Sequence, residues 1–433
     1  MSRPLDRPLD RAEAFFWFLD RCSSMNFAVL AEGSGPLEAA RLAEALAAAQ
    51  ALHPALAVAI EARPGGGLDF VPRPGERVTL SREAPAGDWR AALAGRLAAP
   101  FALGEAPLVR AHWFDLPGGR WAFALVFHHA IGDGRSGFRL ARQVIDDARG
   151  ARAQDEAIEP RPSLMALFPE GLAGAEGLAR AQAWKEALRR EPLRAEAVPG
   201  FVREGGEVRP AILPLRFEES VVEGLARRAR RENASVHGLL GAAELVAARG
   251  LFDAGGAEEP VLMLTSPVDL RANLARPVDD ATPGFCVTLL STLARVPGDG
   301  ALGPLARQLT EDLRRQVAAG CGHLFYHLAA PAETLPATAE GVAGFAAWMK
   351  RMPTAFVLSN VGRVAGMEDA GGVRVDEISF ALCPMAHQPL FVAASTWGGR
   401  LALNVVHDAA RLPPSAAGEV AARMERLLLE AAG

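Results

Sequence analysis

The stretch Trp121-Ala122-Phe123-Ala124-Leu125-Val126-Phe127 runs without a charge into His128-His129-Ala130-Ile131-Gly132-Asp133-Gly134. The apolar run has strand character, and a helical pattern follows from Arg135 to Ala148. A histidine at the end of a buried strand, just before a helix N-terminus, is held rigidly. It is suited to general-base work, removing the proton of an attacking hydroxyl or amine. Two blander readings stand beside this one. A single buried histidine is often a hydrogen-bonded core residue. A metal site would need both rings, yet adjacent strand residues point to opposite faces, so His128 and His129 do not easily share one ion. No H-E-x-x-H or C-x-x-C string supplies further ligands, so no metal is expected.

Four other strings lie in order along the chain. They are Phe15-Phe16-Trp17 through Met25-Asn26-Phe27-Ala28-Val29, then Leu52-His53-Pro54-Ala55-Leu56, Ser266-Pro267-Val268-Asp269-Leu270-Arg271 and Ser359-Asn360-Val361-Gly362-Arg363-Val364. With the H-H-x-x-x-D-G string they resemble the CoA-dependent acyltransferase superfamily. That superfamily includes chloramphenicol acetyltransferase, condensation domains, polyketide-associated acyltransferases, alcohol acetyltransferases and wax ester synthases. Leu52 stands where the family's R-H-P-x-L string has arginine. The D-F-G-W-G string of the plant branch does not occur, and Trp397-Gly398-Gly399 reads as a turn between strands.

The resemblance implies an α/β fold of two chloramphenicol-acetyltransferase-like subdomains. They would form a V-shaped pseudodimer with the active site in a central tunnel. It makes His129 the general base and His128 a packing and hydrogen-bonding residue. Asp133 becomes a structural residue paired with an arginine of the other half, for which Arg271 is the candidate; the alternative for Arg271 is a solvated loop charge. Gly134 is expected to permit a tight strand-to-helix turn. Ser359 and Asn360 carry donors at the end of an apolar strand and are candidate oxyanion or substrate-binding groups, or else part of a turn. Gly132 either opens space for a bulky acceptor or serves turn geometry.

The 433 residues are 50% hydrophobic, ample for a large core, with a net charge of −5. Nothing electrostatic favours nucleic acid. Arginine dominates, with only Lys185 and Lys350 as lysines, as in a high-GC bacterial genome. Cys22, Cys286, Cys321 and Cys383 show no paired spacing and fit a reduced, cytoplasmic protein. Cys286 and Cys383 sit in apolar runs and read as core residues. The charged, proline-containing start lacks a signal-peptide core, and no transmembrane segment is expected.

The first half reads as helix, strand, helix, then strands. Pro107–Phe114 and Gly119–His128 form a hairpin about Pro117-Gly118. Prolines mark residues 150–206 as a crossover holding one helix, Ala175–Arg190. Ser235 is an N-cap for a very apolar helix reaching Ala248. Six further strands and a last helix, Pro414–Leu429, complete the second half. The expected organisation is an N-terminal subdomain at 1–175, a linker at 176–206 and a C-terminal subdomain at 207–433.

No phosphate loop, dinucleotide fingerprint, G-x-S-x-G string or carrier-domain attachment motif occurs. His387 and His407-Asp408 read as structural or surface residues. The expectation is a free-standing acyltransferase with no tightly bound cofactor. Its donor would be acyl-CoA or a phosphopantetheine-linked acyl group on an acyl carrier protein, and its acceptor a small alcohol giving an ester. Two alternatives are a stand-alone condensation enzyme that makes an amide from an amine, and a non-catalytic module that binds carrier proteins.

Overall fold

The structure is a computed structural model and describes residues 3–64, 66–151, 158–202, 207–255, 259–278 and 284–433. The first half runs β1 (Arg7–Pro8), α1 (Arg11–Ser23), β2 (Phe27–Ser34), α2 (Ala39–Leu52), β3 (Val58–Ala62), β4 (Leu68–Pro72), β5 (Leu80–Glu83), α3 (Trp89–Ala98), β6 (Val109–Leu116), β7 (Arg120–Phe127) and α4 (Gly134–Ala148). The crossover carries α5 (Gly174–Arg190); its end at 203–206 lies outside the described residues. The second half opens with β8 (Pro210–Phe217), α6 (Glu219–Arg231), α7 (Val236–Ala248), β9 (Val261–Asp269) and β10 (Val287–Arg295). There follow α8 (Leu302–Ala318), α9 (Cys321–Leu328), α10 (Pro331–Thr334) and α11 (Ala339–Met349). The chain closes with β11 (Phe356–Val364), β12 (Arg374–Leu382), β13 (Phe391–Trp397), β14 (Arg400–Asp408) and α12 (Pro414–Ala432).

The described residues form three sheets. A five-stranded sheet has the order β12-β2-β7-β6-β5, a six-stranded sheet β10-β9-β11-β13-β14-β8, and a small one β1-β4-β3. The hairpin of β6 and β7 turns on Pro117–Gly119, with Gly118 and Gly119 at positive φ. Each large sheet buries an apolar face under helices, α4 against the first and α7 against the second. At Gly137 a Cβ would stand 2.6 Å from Val29 Cγ2, so glycine lets α4 lie on β2.

One strand breaks the division of the chain into halves. β12 belongs by sequence to the second half, yet it pairs antiparallel with β2, with Phe380 opposite Val29 and Leu382 opposite Phe27. The strand after it, β13, returns to the second sheet beside β11. The lobes are thus joined by backbone hydrogen bonds as well as by side chains. Helix α1 lies between them. Asp10 caps it, accepting from the Glu13 N–H at 2.9 Å while the Glu13 carboxylate accepts from the Asp10 N–H at 3.0 Å. Phe15 to Leu19 are all buried, as befits a helix packed on every side.

Ser235 caps α7 by accepting from the Gly238 N–H. This apolar helix carries Glu244, fully buried beneath the second sheet. Burial raises its carboxyl to about 8, opposed only by the Val357 backbone. The folded chain therefore holds this proton from the ordinary 4.5 up to about 8, while the unfolded chain releases it. Stability is lost as pH rises through that window. Glu244→Gln, which has no proton to lose, should remove a slope of up to about 1.4 kcal/mol per pH unit. Urea unfolding of both proteins at pH 5, 6.5 and 8 reads the difference, and parallel pH profiles would refute it.

Candidate active site

β7 ends at Phe127, whose ring stacks on Phe27 of β2 at 4.9 Å and 14°. The chain then leaves the sheet. The His128 Nδ1 accepts from the Ala130 N–H at 3.1 Å, which closes the single turn His129–Ile131. Asp133 next accepts from the Ser136 N–H at 3.0 Å and caps α4. Strand, turn and capped helix are fixed by side chains of the motif itself.

His129 sits in an aromatic cage. Its ring centroid lies 4.4 Å from that of Phe16, 4.9 Å from Phe27 and 6.0 Å from Phe285. Burial pushes the imidazole down to about 4, although the carbonyls of His129 and Gly132 and the charge of Asp133 pull the other way. The ring is therefore neutral at physiological pH, the state a base requires. Nδ1 is shut off from solvent, which leaves Nε2 as the nitrogen a substrate reaches. Beside it lies a cavity of about 110 Å³, lined from the first lobe by Phe16, Met25 and Phe27 and from the second by Val287, Leu289 and Phe391.

His128 has a different place. With Nδ1 accepting, its proton sits on Nε2, which faces the Asp20 carboxyl at 3.9 Å, too far for a hydrogen bond. Burial pushes His128 down to about 3 and Asp20 up to about 6, so the contact joins a neutral ring to a carboxyl group and is not an ion pair. Asp20 accepts from the N–H groups of Met25 and Phe101 at 3.1 and 3.3 Å. Asp20→Ala orphans both buried donors and should cost about 2 kcal/mol or more. Equilibrium unfolding reads this loss; a variant as stable as the parent would show that those donors find water instead.

Asp133 and Arg271 meet across the lobes. Arg271 Nη1 and Nη2 reach the two carboxylate oxygens at 2.9 and 3.0 Å, with both side chains 5% exposed. Arg271 is steadied by Asp269, which accepts from its backbone N–H and from Nη1, both at 3.0 Å. The Asp133 carboxylate also accepts from the Cys286 N–H at 3.0 Å. Burial would raise Asp133, but the charge and hydrogen bonds of Arg271 outweigh it and hold the carboxyl below the ordinary range. Ser136, absent from the sequence-derived site, belongs to the same knot: it accepts from Arg271 Nη2 at 3.0 Å and from the Gly284 N–H at 2.9 Å.

Ser359 and Asn360 line the His129 cavity. They lie within β11, whose pairing with β13 shifts register between Asn360 and Arg363. Asn360 Oδ1 accepts from the Gly362 N–H at 2.8 Å, and Gly362 has φ +82°, so glycine is required at this bulge. With Oδ1 engaged, the Nδ2 end of the amide remains as a donor.

The two motif glycines are placed otherwise than expected. Gly132 does not line this cavity but a separate space of about 20 Å³ with Phe127, Gly137 and Leu140. Its φ of −177° is extended backbone that any residue adopts. Gly134 needs no special turn, for it is the first residue of α4; a Cβ there would stand 3.1 Å from Val361 Cγ1, across the lobes. Met385 and Gln388 were not singled out in the sequence, yet both line the cavity from the loop between β12 and β13.

Among the described residues no group of three or more His, Cys, Asp and Glu side chains is placed to hold a metal. No helix among them is long and apolar enough to cross a membrane.

Residues 206–406 match the family of the phthiocerol/phthiodiolone dimycocerosyl transferase C-terminus. That match and the fold are consistent with the CoA-dependent acyltransferase superfamily. The protein is similar in fold to the TRI3 trichothecene 15-O-acetyltransferase of Fusarium sporotrichioides, at a TM-score of 0.73, and to the condensation domain of the monacolin K polyketide synthase MokA, at 0.71. Identity is 12% to TRI3, covering 98% of this chain and 95% of that one, and 14% to MokA, covering 100% and 98%. Polyketide synthase associated protein 5 of Mycobacterium tuberculosis aligns at a TM-score of 0.68 and 17% identity over 99% of this chain and 98% of its own. No curated protein matches the acyltransferase by sequence. Its two lobes form the pseudodimer of these condensation-domain folds.

Proposed function

We propose that the acyltransferase moves an acyl group from a thioester of CoA, or of a carrier protein's phosphopantetheine arm, to a hydroxyl group, with His129 as the base. The observation that carries this reading is the neutral, caged ring of His129 beside a cavity lined by both lobes. The acceptor O–H gives its proton to His129 Nε2 as its oxygen attacks the thioester carbonyl. A tetrahedral oxyanion forms, and the C–S bond then breaks to release thiolate, which takes the proton back from His129. Asn360 Nδ2 and Ser359 Oγ are the donors suited to the oxyanion. Asp133 and Arg271 act at a distance, fixing the turn that carries His129.

The match to a dimycocerosyl transferase family and the likeness to an O-acetyltransferase support an oxygen acceptor over a nitrogen one. Thiol release from a panel of acyl-CoAs and acyl-carrier proteins, with alcohols and amines as acceptors, tests the reading. Acceptor-dependent release with an ester product supports it. An amide product would make the chain a condensation enzyme, and no release with any donor would leave a binding module.

A further inference from the structure

The loop between β12 and β13, Cys383-Pro384-Met385-Ala386-His387-Gln388-Pro389-Leu390, is held still by its own residues. Pro389 biases the backbone of Gln388 towards the extended region. The Gln388 N–H donates to the Met385 carbonyl at 2.8 Å and closes a turn over Ala386 and His387. The Ala355 N–H, donating to the His387 carbonyl at 3.2 Å, ties that turn to the approach of β11. The Gln388 side chain, 2% exposed, then reaches back, and its Oε1 accepts from the Met385 N–H at 2.9 Å. A backbone N–H needs an acceptor, so the carboxamide can face it only with its oxygen. That bond fixes the orientation of the amide and leaves Nε2 on the other side.

Nε2 carries two N–H donors, has no hydrogen-bond partner among the described residues, and is not sealed off by its neighbours. Gln388 lines the His129 cavity, to which the strand ends on either side of the loop add Leu382 and Phe391. A fixed donor in such a wall is complemented by an oxygen that only accepts. Asn360 addresses another part of the cavity. It stands opposite Ala394, whereas Gln388 lies before the start of β13 at Phe391, and the stretch Phe391–Ala394 alone spans about 10 Å at roughly 3.3 Å per residue. The two amides therefore meet different parts of the bound substrates. We infer that Gln388 is a substrate-binding residue whose Nε2 donates to a carbonyl oxygen other than that of the reacting thioester, carried by the pantetheine amide nearest the sulfur or by the acceptor alcohol. The inference rests on the transfer reaction proposed above. It makes Gln388 a determinant of specificity, because a substrate lacking that oxygen leaves a buried donor unpaired.

Matched substrate pairs on the full chain test it. One pair is the octanoyl thioesters of N-acetylcysteamine, which keeps the first pantetheine amide, and of pentanethiol, which lacks it. The other is a series of keto alcohols against plain alcohols of the same length. Gln388→Glu keeps an oxygen for the Met385 N–H but removes the donor, and assay at pH 8.5 favours the ionised carboxylate. The parent should prefer the carbonyl-bearing member of one pair in kcat/KM by about tenfold, and Gln388→Glu should abolish that preference. Loss in the thioester pair places the oxygen in the pantetheine arm, and loss in the alcohol pair places it in the acceptor. Unchanged ratios in both pairs would overturn the inference, as would an equal fall in kcat for every substrate, which would put Gln388 on the reacting carbonyl. Gln388→Leu loses the loop contact as well; if it fails while Gln388→Glu matches the parent, Gln388 only pins the loop and the inference is overturned. Calorimetric binding of the keto alcohols and of S-octylpantetheine, a thioether that cannot transfer, reads the same contact without turnover. Binding that depends on Gln388 without any thiol release would leave the residue assigned and the transfer reading refuted. Melting curves confirm that both variants fold.

Discussion

His129→Ala should lower kcat by about 10²- to 10⁴-fold, the usual contribution of a positioned base, with melting behaviour close to that of the parent. The ring packs against Phe16 and Phe27, and the only groups that favour its charged form are the Asp133 charge and the backbone carbonyls of His129 and Gly132, so its removal costs chemistry first. Acyl transfer would not vanish, because two oriented substrates and any oxyanion donors still lower the barrier. The pH profile is the sharper reading. Since burial holds His129 at about 4, kcat/KM should stay flat down to about pH 5, where an ordinary imidazole of 6.5 would already have lost most of its activity. Phe16→Ala, which lets water reach the ring, should move the acid limb upward towards 6.5. A limb at 6.5 in the parent protein would show that the cage does not exclude water.

The same burial has a linked effect on stability. His129 and His128 are both held well below their unfolded value of 6.5. The unfolded chain therefore takes up more protons as pH falls below 6.5, and the fold weakens in acid. Above 6.5 both rings are neutral in either state, and this contribution is complete.

Much of this was legible in the residues. The uninterrupted apolar run before His128 and the capping aspartate after it are local signals, and strand, turn and helix follow from them. The second-half strands were legible for the same reason, as apolar runs bounded by turns. Membership of a sheet is not local. Val375, Ile378 and Phe380 are as apolar as a strand of the second sheet would be, and only the assembled fold pairs them with β2. Phe16, Met385 and Gln388 are equally silent, because a helix, a loop and a strand end must converge before any of them faces His129. Glu244 hid within a helix whose apolar character was plain, and its burial became visible only with the sheet above it. The motif glycines misled in the opposite direction: glycine suggested turn geometry, whereas Gly134 answers to Val361 from the other lobe.

Arg271→Ala should destabilise the protein by about 3–5 kcal/mol, the cost of leaving one member of a buried ion pair without the other. The Asp133 carboxylate would keep the Ser136 and Cys286 N–H groups but lose the charge that offsets its burial. Asp133→Ala removes the cap of α4 as well as the ion pair, so it should be at least as damaging. The double variant has no uncompensated charge, and its loss should fall well short of the sum of the two single losses. A double-mutant cycle by urea unfolding measures that coupling. Additive losses would mean that water reaches and solvates the lone carboxylate, and the pair would then be a surface contact in energetic terms. Activity adds a second readout. Arg271 draws Gly284 of the second lobe against Asp133 and Ser136 of the first, and Phe285, the next residue, is one wall of the His129 cage. Loosening that knot should therefore lower kcat at temperatures where the variant is still folded, while His129→Ala lowers it without moving the unfolding transition. The two substitutions together separate the residue proposed to move the proton from those that keep the lobes in register around it.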